Sequence, residues 1–485
     1  MSGVSRKKVI IIGSGISGAT AYKTFIDSGM TSDDIIIVEK MDRVGGKLWT
    51  YRDESNPSLV TEYGAGVFTQ NYGIIDILKK ENIKSESLVN TKRSTIEFFD
   101  TLYHLSLFGK IKYAIAFLWQ NVKFARLVWS YNRAHTNLQE KIPAGFDKPF
   151  ATFATDKKIS LVASFITFLG PSFGYGSFDD EKSYAYKMLA YMGYTTILGI
   201  CGSSNGLVCL QGGYQQLVEK MLKKANVQTS AKIDNITRNE KEVTVSYTQH
   251  QQRFDVTADL LIIATSPADW SSLGMSLTAA EKECMDNCTY FRYPIAICKL
   301  KGMPPKHVFV RSATVKEGFG HAAFLFTRDN RPDPQDGRLF TIYINIAREN
   351  KHYQLTPGNT DWMSLINDLM ALGATDVNIL KTTIWEDYNP TIPYSTGIRL
   401  QKEERLQRTL HLGGYMPGSF ETVAGTEEYA RKTIQRYLNQ SISTFADIYR
   451  QFRRALIFYA MKHEKPYAGS NVVTGEQINQ TAEQS

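Results

Sequence analysis

The run Gly13-Ser14-Gly15-Ile16-Ser17-Gly18 constrains the fold of this chain more than any other stretch. It follows Lys8 to Ile12, a short apolar, β-branched segment suited to a buried parallel strand, and leads into a helical stretch from Ala19 to Ser28. Strand, glycine turn and helix in that order make a dinucleotide-binding fingerprint. Gly13 permits the tight turn, Gly15 lets backbone amides approach a pyrophosphate, and Gly18 lets helix and strand pack closely. The positive end of the helix, entered through Ile16 and Ser17, then meets the phosphates. A second apolar strand, Ile35 to Val38, ends at Glu39, 21 residues beyond Gly18, where a carboxylate can accept hydrogen bonds from a ribose diol. Lys40, next in the chain, is grouped with these nucleotide contacts.

Four residues after Glu39 comes Arg43-Val44-Gly45-Gly46-Lys47, a glycine pair framed by bases that can cross the pyrophosphate from the other side. Here the sequence resembles the flavin amine-oxidase superfamily, in which an R-x-G-G-[RK] element follows the ribose acid. The resemblance implies FAD rather than NAD as cofactor. It continues at Glu62-Tyr63-Gly64-Ala65-Gly66, similar to an acid-x-G-A segment whose small residues let the backbone approach the flavin edge. Gln211 to Leu217 resembles the loop and helix that re-enter the FAD domain, and Ile233 stands where the family packs an apolar side chain on adenine. Asp259 to Pro267, with Thr265, resembles the strand that ends beside the dinucleotide. Leu410 to Tyr415 and Glu421 to Gly425 resemble the last flavin-contacting strand and helix start, which implies contacts from Gly414, Tyr415, Thr422 and Val423. The family usually has A-G-E where this chain has Gly413-Gly414-Tyr415, so an acid that touches the ribityl chain is missing.

The implied fold is α/β. A Rossmann-type FAD-binding domain, of the two-dinucleotide-binding-domain flavoprotein kind, is paired with a discontinuous α+β substrate domain. Residues 1–91, 207–269 and 405–440 fall to the FAD domain, and 92–206 and 270–404 to the substrate, or cap, domain. Residues 441–465 read as an amphipathic helix, and 466–485, polar and rich in Gly, Asn, Gln and Ser, as a disordered tail.

On the substrate side the pattern resembles the polyenoic fatty acid isomerases within that superfamily. Phe173 to Asp179, with Tyr175 and Phe178, then Tyr184 and Lys187, match one stretch of that family, and Trp385, Tyr388 and Pro390 match another. Arg93 falls on the arginine that holds the fatty acid carboxylate there, a task suited to a planar guanidinium that pairs bidentately and stays charged. The aromatic residue that assists it falls near Ile197 or Leu198, so that clamp is absent. The resemblance implies an apolar, carboxylate-bearing small-molecule substrate, such as a polyunsaturated fatty acid whose double bond moves through hydride transfer at flavin N5. No catalytic side chain is assigned, because the flavin carries the chemistry. The alternative reading is an amine oxidase that makes hydrogen peroxide. Such enzymes commonly place a lysine near N5 in the strand corresponding to Tyr293 to Leu300, where this chain offers only Lys299. A third reading is a flavin-fold protein that binds partners or membranes without catalysis.

Charge is unevenly placed. Between 101 and 139 there are five basic residues and no acid, and between 441 and 465 five basic residues face Asp447 and Glu464, which accounts for the net charge of +8. An anionic partner should meet these two places. In the first, Ile111, Ala114, Ile115, Leu118, Val122, Ala125 and Trp129 share one helical face, while Phe117, Phe124 and Tyr131 form a second apolar stripe. Either the helix is buried on both sides, or one stripe packs and the other contacts a partner, a membrane surface or the pocket mouth. Lys112, Lys123 and Arg126 flank the stripes, as in an interfacial helix. The tail places Phe445, Ile448, Tyr449, Phe452, Leu456 and Tyr459 on one face, opposite Arg450, Arg453 and Arg454. No recognised module supports nucleic-acid binding, no His or Cys spacing supports a metal site, and the five cysteines read as reduced thiols. A polar start and the lack of about 18 consecutive apolar residues lead to the expectation of a cytoplasmic protein with, at most, peripheral membrane contact. Nothing in the sequence sets an oligomeric state.

Overall fold

Val9–Ile12, Ile35–Val38 and Leu260–Ile263 consist of Val, Ile and Leu alone, and every one of these residues is buried. Strands apolar on both faces belong inside a parallel sheet covered on each side. The computed structural model describes residues 5–66, 72–87, 94–96, 106–136, 144–169, 180–191, 208–310, 319–332, 334–348, 350–404, 408–419 and 421–438. Residues 1–442 form one compact unit, and 443–485 a second that lies outside the described residues, as does the expected tail helix.

In chain order, the elements that build the site are β1 (Val9–Ile12), α1 (Ile16–Asp27), β2 (Ile35–Val38), α2 (Leu107–Thr136), α3 (Ala185–Tyr191), β3 (Val227–Gln228), β4 (Leu260–Ile263), β5 (Thr289–Lys301), β6 (Arg338–Asn345), β7 (Asp376–Thr391), β8 (Thr409–His411) and α4 (Val423–Tyr437). Five of the strands make a parallel sheet in the order β8-β4-β1-β2-β3, with Ile10 of β1 beside Ile36 of β2 and Leu261 of β4. Helix α1 packs against α4, so the first and last segments of this unit share one layer. A mixed α/β architecture with a parallel nucleotide-type sheet is the class expected from the sequence.

A second, six-stranded sheet has the order β7, β5, β6, His321–Phe326, Val308–Val310 and Ser94–Ile96, antiparallel except for its last pair. The long strands β5 and β7 slip register between Thr289 and Phe291, Phe291 and Tyr293, and Ile297 and Cys298. Such irregularities bend a strand and re-aim its side chains. They help to bring Tyr293, Trp385 and Tyr388 towards the glycine-rich segments described next.

Candidate functional site

Gly15 precedes α1 without a side-chain cap, so the first-turn amides, those of Ile16, Ser17 and Gly18 among them, have no acceptor inside the helix. A Cβ on Gly18 would overlap the Gly13 carbonyl oxygen, so helix and turn approach this closely only with glycine there. Above Gly15 the space is open: only the Gly45 oxygen comes near an added Cβ, at 3.9 Å. Gly15 and Gly45 form a parallel bridge, and the Gly45 amide donates to the Ser14 oxygen at 3.1 Å. The Arg43 to Lys47 loop is thereby fastened beside the fingerprint turn.

Glu39 ends β2 with its carboxylate buried. Its Oε2 accepts from the Ser14 amide at 2.8 Å and the Ser14 hydroxyl at 2.7 Å, and its Oε1 from the Met41 amide at 2.9 Å. The Ala231 amide donates to the Glu39 carbonyl at 3.0 Å, which sets the strand carrying the buried Ile233 next to this acid. Thr265 lies beside the Gly13 turn. Its hydroxyl and the Arg43 Nε are buried without a hydrogen-bond partner among the described residues. Free first-turn amides, an open approach, a carboxylate at the second strand end and orphaned donors together suit a dinucleotide. Lys40 points elsewhere, to Asp269 at 2.7 Å, with its side chain 65% exposed.

The Gly64 to Gly66 segment joins this turn to the second sheet. A Cβ on Gly64 would overlap the Lys47 carbonyl oxygen. The Tyr343 hydroxyl donates to the Gly64 oxygen at 2.6 Å, and Trp385 Nε1 to the Tyr63 oxygen at 2.6 Å. Tyr293 stacks on Tyr343 at 5.3 Å between centroids and leans on Tyr388 at 4.7 Å. Lys47 Nζ lies 5.4 Å from the centre of the Tyr388 ring. An aromatic wall from β5, β6 and β7 therefore stands against the glycine-rich edge. Behind it Glu62, fully buried, accepts from Arg328 at 2.6 Å, the Thr50 hydroxyl at 2.8 Å and the Tyr214 amide at 3.2 Å. Burial lifts the Glu62 carboxyl to about 7 against the pull of Arg328 and these donors.

Two lysines meet the C-terminal segment. Lys47 pairs with Glu421 at 3.0 Å and donates to the Asp387 carbonyl at 2.8 Å. Burial opposes its charge, yet Glu421 and Asp387 outweigh burial and hold its pKa above the ordinary value. Lys187 of α3 is fully enclosed and donates to the Gly414 carbonyl, and burial pulls its pKa down to about 7. Tyr415 occupies the place of the missing acid and is buried edge-on to Trp270. Glu421 lies so near Gly414 that a Cβ there would overlap its carboxylate. An acid six residues beyond the motif thus fills the space beside Gly414. Thr422 caps α4, its hydroxyl accepting from the Gly425 amide at 3.0 Å, and Val423 opens the helix.

Arg93, Tyr175, Phe178 and Ile197 lie outside the described residues. Lys299 is held by Asp53 at 3.0 Å, Asp336 at 2.8 Å and the Ser55 hydroxyl at 3.2 Å. The sequence reading quoted Glu421 at the start of one motif and Tyr293 at the start of one strand but gave neither a contact, and it passed over Tyr343. The signal for Glu421 was its place just before a helix cap; the two tyrosines sit in strands with no motif around them.

This chain belongs to the flavin containing amine oxidoreductase family, whose pattern matches residues 16–289, more than half of its length. The family is one of flavin-containing oxidoreductases, and the glycine-rich turn, Glu39 and the Arg43 to Lys47 loop suit its flavin cofactor. A tryptophan 2-monooxygenase of Rhizobium rhizogenes is 38% identical over 87 residues, 18% of this chain and 11% of that protein. A corticosteroid-binding protein of Candida albicans is 42% identical over 67 residues, 14% of each chain. The matched segments therefore span only about a seventh or less of these relatives. Among solved structures, a CLA-producing fatty acid isomerase from P. acnes superimposes with a TM-score of 0.72 at 18% identity, covering 89% of this chain and 98% of that one. Putrescine oxidase bound to putrescine gives 0.63 at 12% identity, covering 90% and 100%. At such identities the likeness is one of fold. Among the described residues, no helix is long and apolar enough to cross a membrane.

Proposed function

We propose that this enzyme moves a hydride between flavin N5 and an apolar substrate bearing a carboxylate, and that the reaction is double-bond isomerisation of a polyunsaturated fatty acid. In this reading residues 1–91, 207–269 and 405–440 hold the FAD, and residues 92–206 and 270–404 cover the substrate. Bound flavin supplies a centre that accepts and returns a hydride. The amides of Ile16 to Gly18 and the Arg43 to Lys47 loop hold its diphosphate, and Glu39 its ribose. Trp385, Tyr388, Tyr293 and Tyr343 form an apolar wall that orients the chain of the substrate and keeps water out. Arg93 holds its carboxylate.

The observation that carries this reading against an amine oxidase is the engagement of Lys299. Two carboxylates and a hydroxyl occupy its ammonium, so it is not available beside N5. The fold likeness to the CLA-producing isomerase guides the choice of first substrate. The test is anaerobic incubation of the flavin-loaded protein with linoleic acid, followed by ultraviolet absorbance and oxygen consumption. Conjugated-diene absorbance without oxygen uptake is the expected result. Hydrogen peroxide on addition of amines would make the protein an oxidase, and inertness towards both with flavin retained would make it a binding protein.

A further inference from the structure

Helix α2 has two unlike sides. Phe124, Val128, Tyr131 and Ala134 are buried, Gln120 Oε1 accepts from the Leu161 amide at 2.8 Å, and the Tyr131 hydroxyl accepts from the Gly418 amide at 2.7 Å. The helix is thus fastened to the body of the protein along this side. Opposite, Leu107, Phe108, Ile111, Ile115, Leu118, Trp119, Val122 and Trp129 are 40 to 78% exposed. Eight large apolar side chains on one 30-residue helix exceed the scattered hydrophobes of an ordinary soluble surface.

Charge decides what covers this face. The helix has no acid and five bases, and at 100° per residue Lys110 falls on one margin of the apolar arc, Lys112 and Lys123 on the other, and Arg126 and Arg133 inside it towards the C-terminal end. Lys123 stands 5.9 Å over the Trp119 ring and Arg133 5.6 Å over that of Trp129. A second copy of this chain would set the same cationic margins against each other. The chain's own segment 441–465 is also basic. An anionic bilayer complements both features: the apolar arc enters the acyl boundary, the indoles sit at headgroup level, and the bases meet lipid phosphates and carboxylates. No described helix is apolar enough to span, and α2, about 45 Å long at 1.5 Å per residue, would lie along the surface.

We propose that the outer face of α2, from Leu107 to Arg133, is a docking surface for anionic membranes. The inference does not depend on the reaction proposed above. The test is flotation of the flavin-loaded full-length protein with vesicles of phosphatidylcholine alone and of phosphatidylcholine mixed with phosphatidylserine. The expected result is binding to the mixed vesicles that weakens with added salt and falls at least tenfold in the Ile115→Glu, Leu118→Glu double variant. Both residues are exposed, and the visible flavin spectrum and melting temperature of the variant verify its fold. Absence of wild-type binding to anionic vesicles would overturn the proposal, as would equal binding to phosphatidylcholine alone. Binding that persists undiminished in the double variant would assign it to another surface, such as the basic tail, and overturn it too. So would self-association of the wild type, lost in the double variant, in place of vesicle binding.

Discussion

The fingerprint turn and the lysine-carboxylate junction lie side by side, yet they are built in opposite ways. The turn comes from one continuous stretch, Val9 to Glu39, and works through main-chain amides and the lack of side chains. The junction joins Lys47 to Asp387 and Glu421, more than three hundred residues away, and works through a carbonyl of a distant strand and a carboxylate at a distant helix start. The first tolerates no added atom at Gly13 or Gly18. The second tolerates atoms but not the loss of a partner.

Gly18→Ala should have the largest effect, because its new methyl would overlap the Gly13 carbonyl and neither backbone segment can move freely. Flavin affinity should fall by two or more orders of magnitude, about 3 kcal/mol or more, read as absorbance of the purified protein near the flavin band. A variant that stays fully yellow would mean that the helix does not need its close seat.

Lys47→Met should come next. It takes from Glu421, whose side chain is only 16% exposed, the ammonium that pairs with it at 3.0 Å, and should cost about 2–4 kcal/mol of stability in urea unfolding, somewhat less than breaking a fully buried pair. An unchanged midpoint would show that the pairing of Lys47 with Glu421 adds nothing to stability.

The smallest effect, taken over a single pH unit, is one of pH. Lys187 donates to a carbonyl and stands 5.5 Å over the Tyr186 ring, and burial, against the pull of Glu421, holds its pKa near 7, below the ordinary lysine value. Between about pH 7 and the unfolded pKa of about 10.4 the unfolded chain holds this proton and the folded chain does not, so the contribution of Lys187 to stability rises with pH. Below pH 7 both states are protonated, and the cost of the buried charge is constant. In Lys187→Met that rise should be missing, so the wild type should gain about 1.4 kcal/mol on the variant for each pH unit above 7. Parallel stability curves would mean that the amine stays charged, as Lys47 does.

The nucleotide half of the site was legible because its information is local. A glycine must precede the helix where amides approach phosphate, and Glu39 must end the next strand, whatever the rest of the chain does. The two stripes of α2 were legible for the same reason, since helical period alone sorts Phe124 and Tyr131 from Ile115 and Leu118. Which stripe turns inward was not, because both are apolar and the choice depends on what the body of the protein offers, here the Gly418 amide and the Leu161 turn. Lys299 was open in the same way: its residue type suits a place beside the flavin, but Asp53 and Asp336 come from other segments to claim it.

Sequence alone therefore determined the cofactor class, the parallel sheet and the order of glycines and acid around the first turn, because backbone geometry and burial period act over a few residues. Only the tertiary structure decided that Glu421 fills the space beside Gly414, that Tyr293 and Tyr343 join the wall, and that one face of α2 stays in solvent. Those outcomes rest on side chains meeting across the fold, where packing and charge pairing, not spacing along the chain, choose the partner.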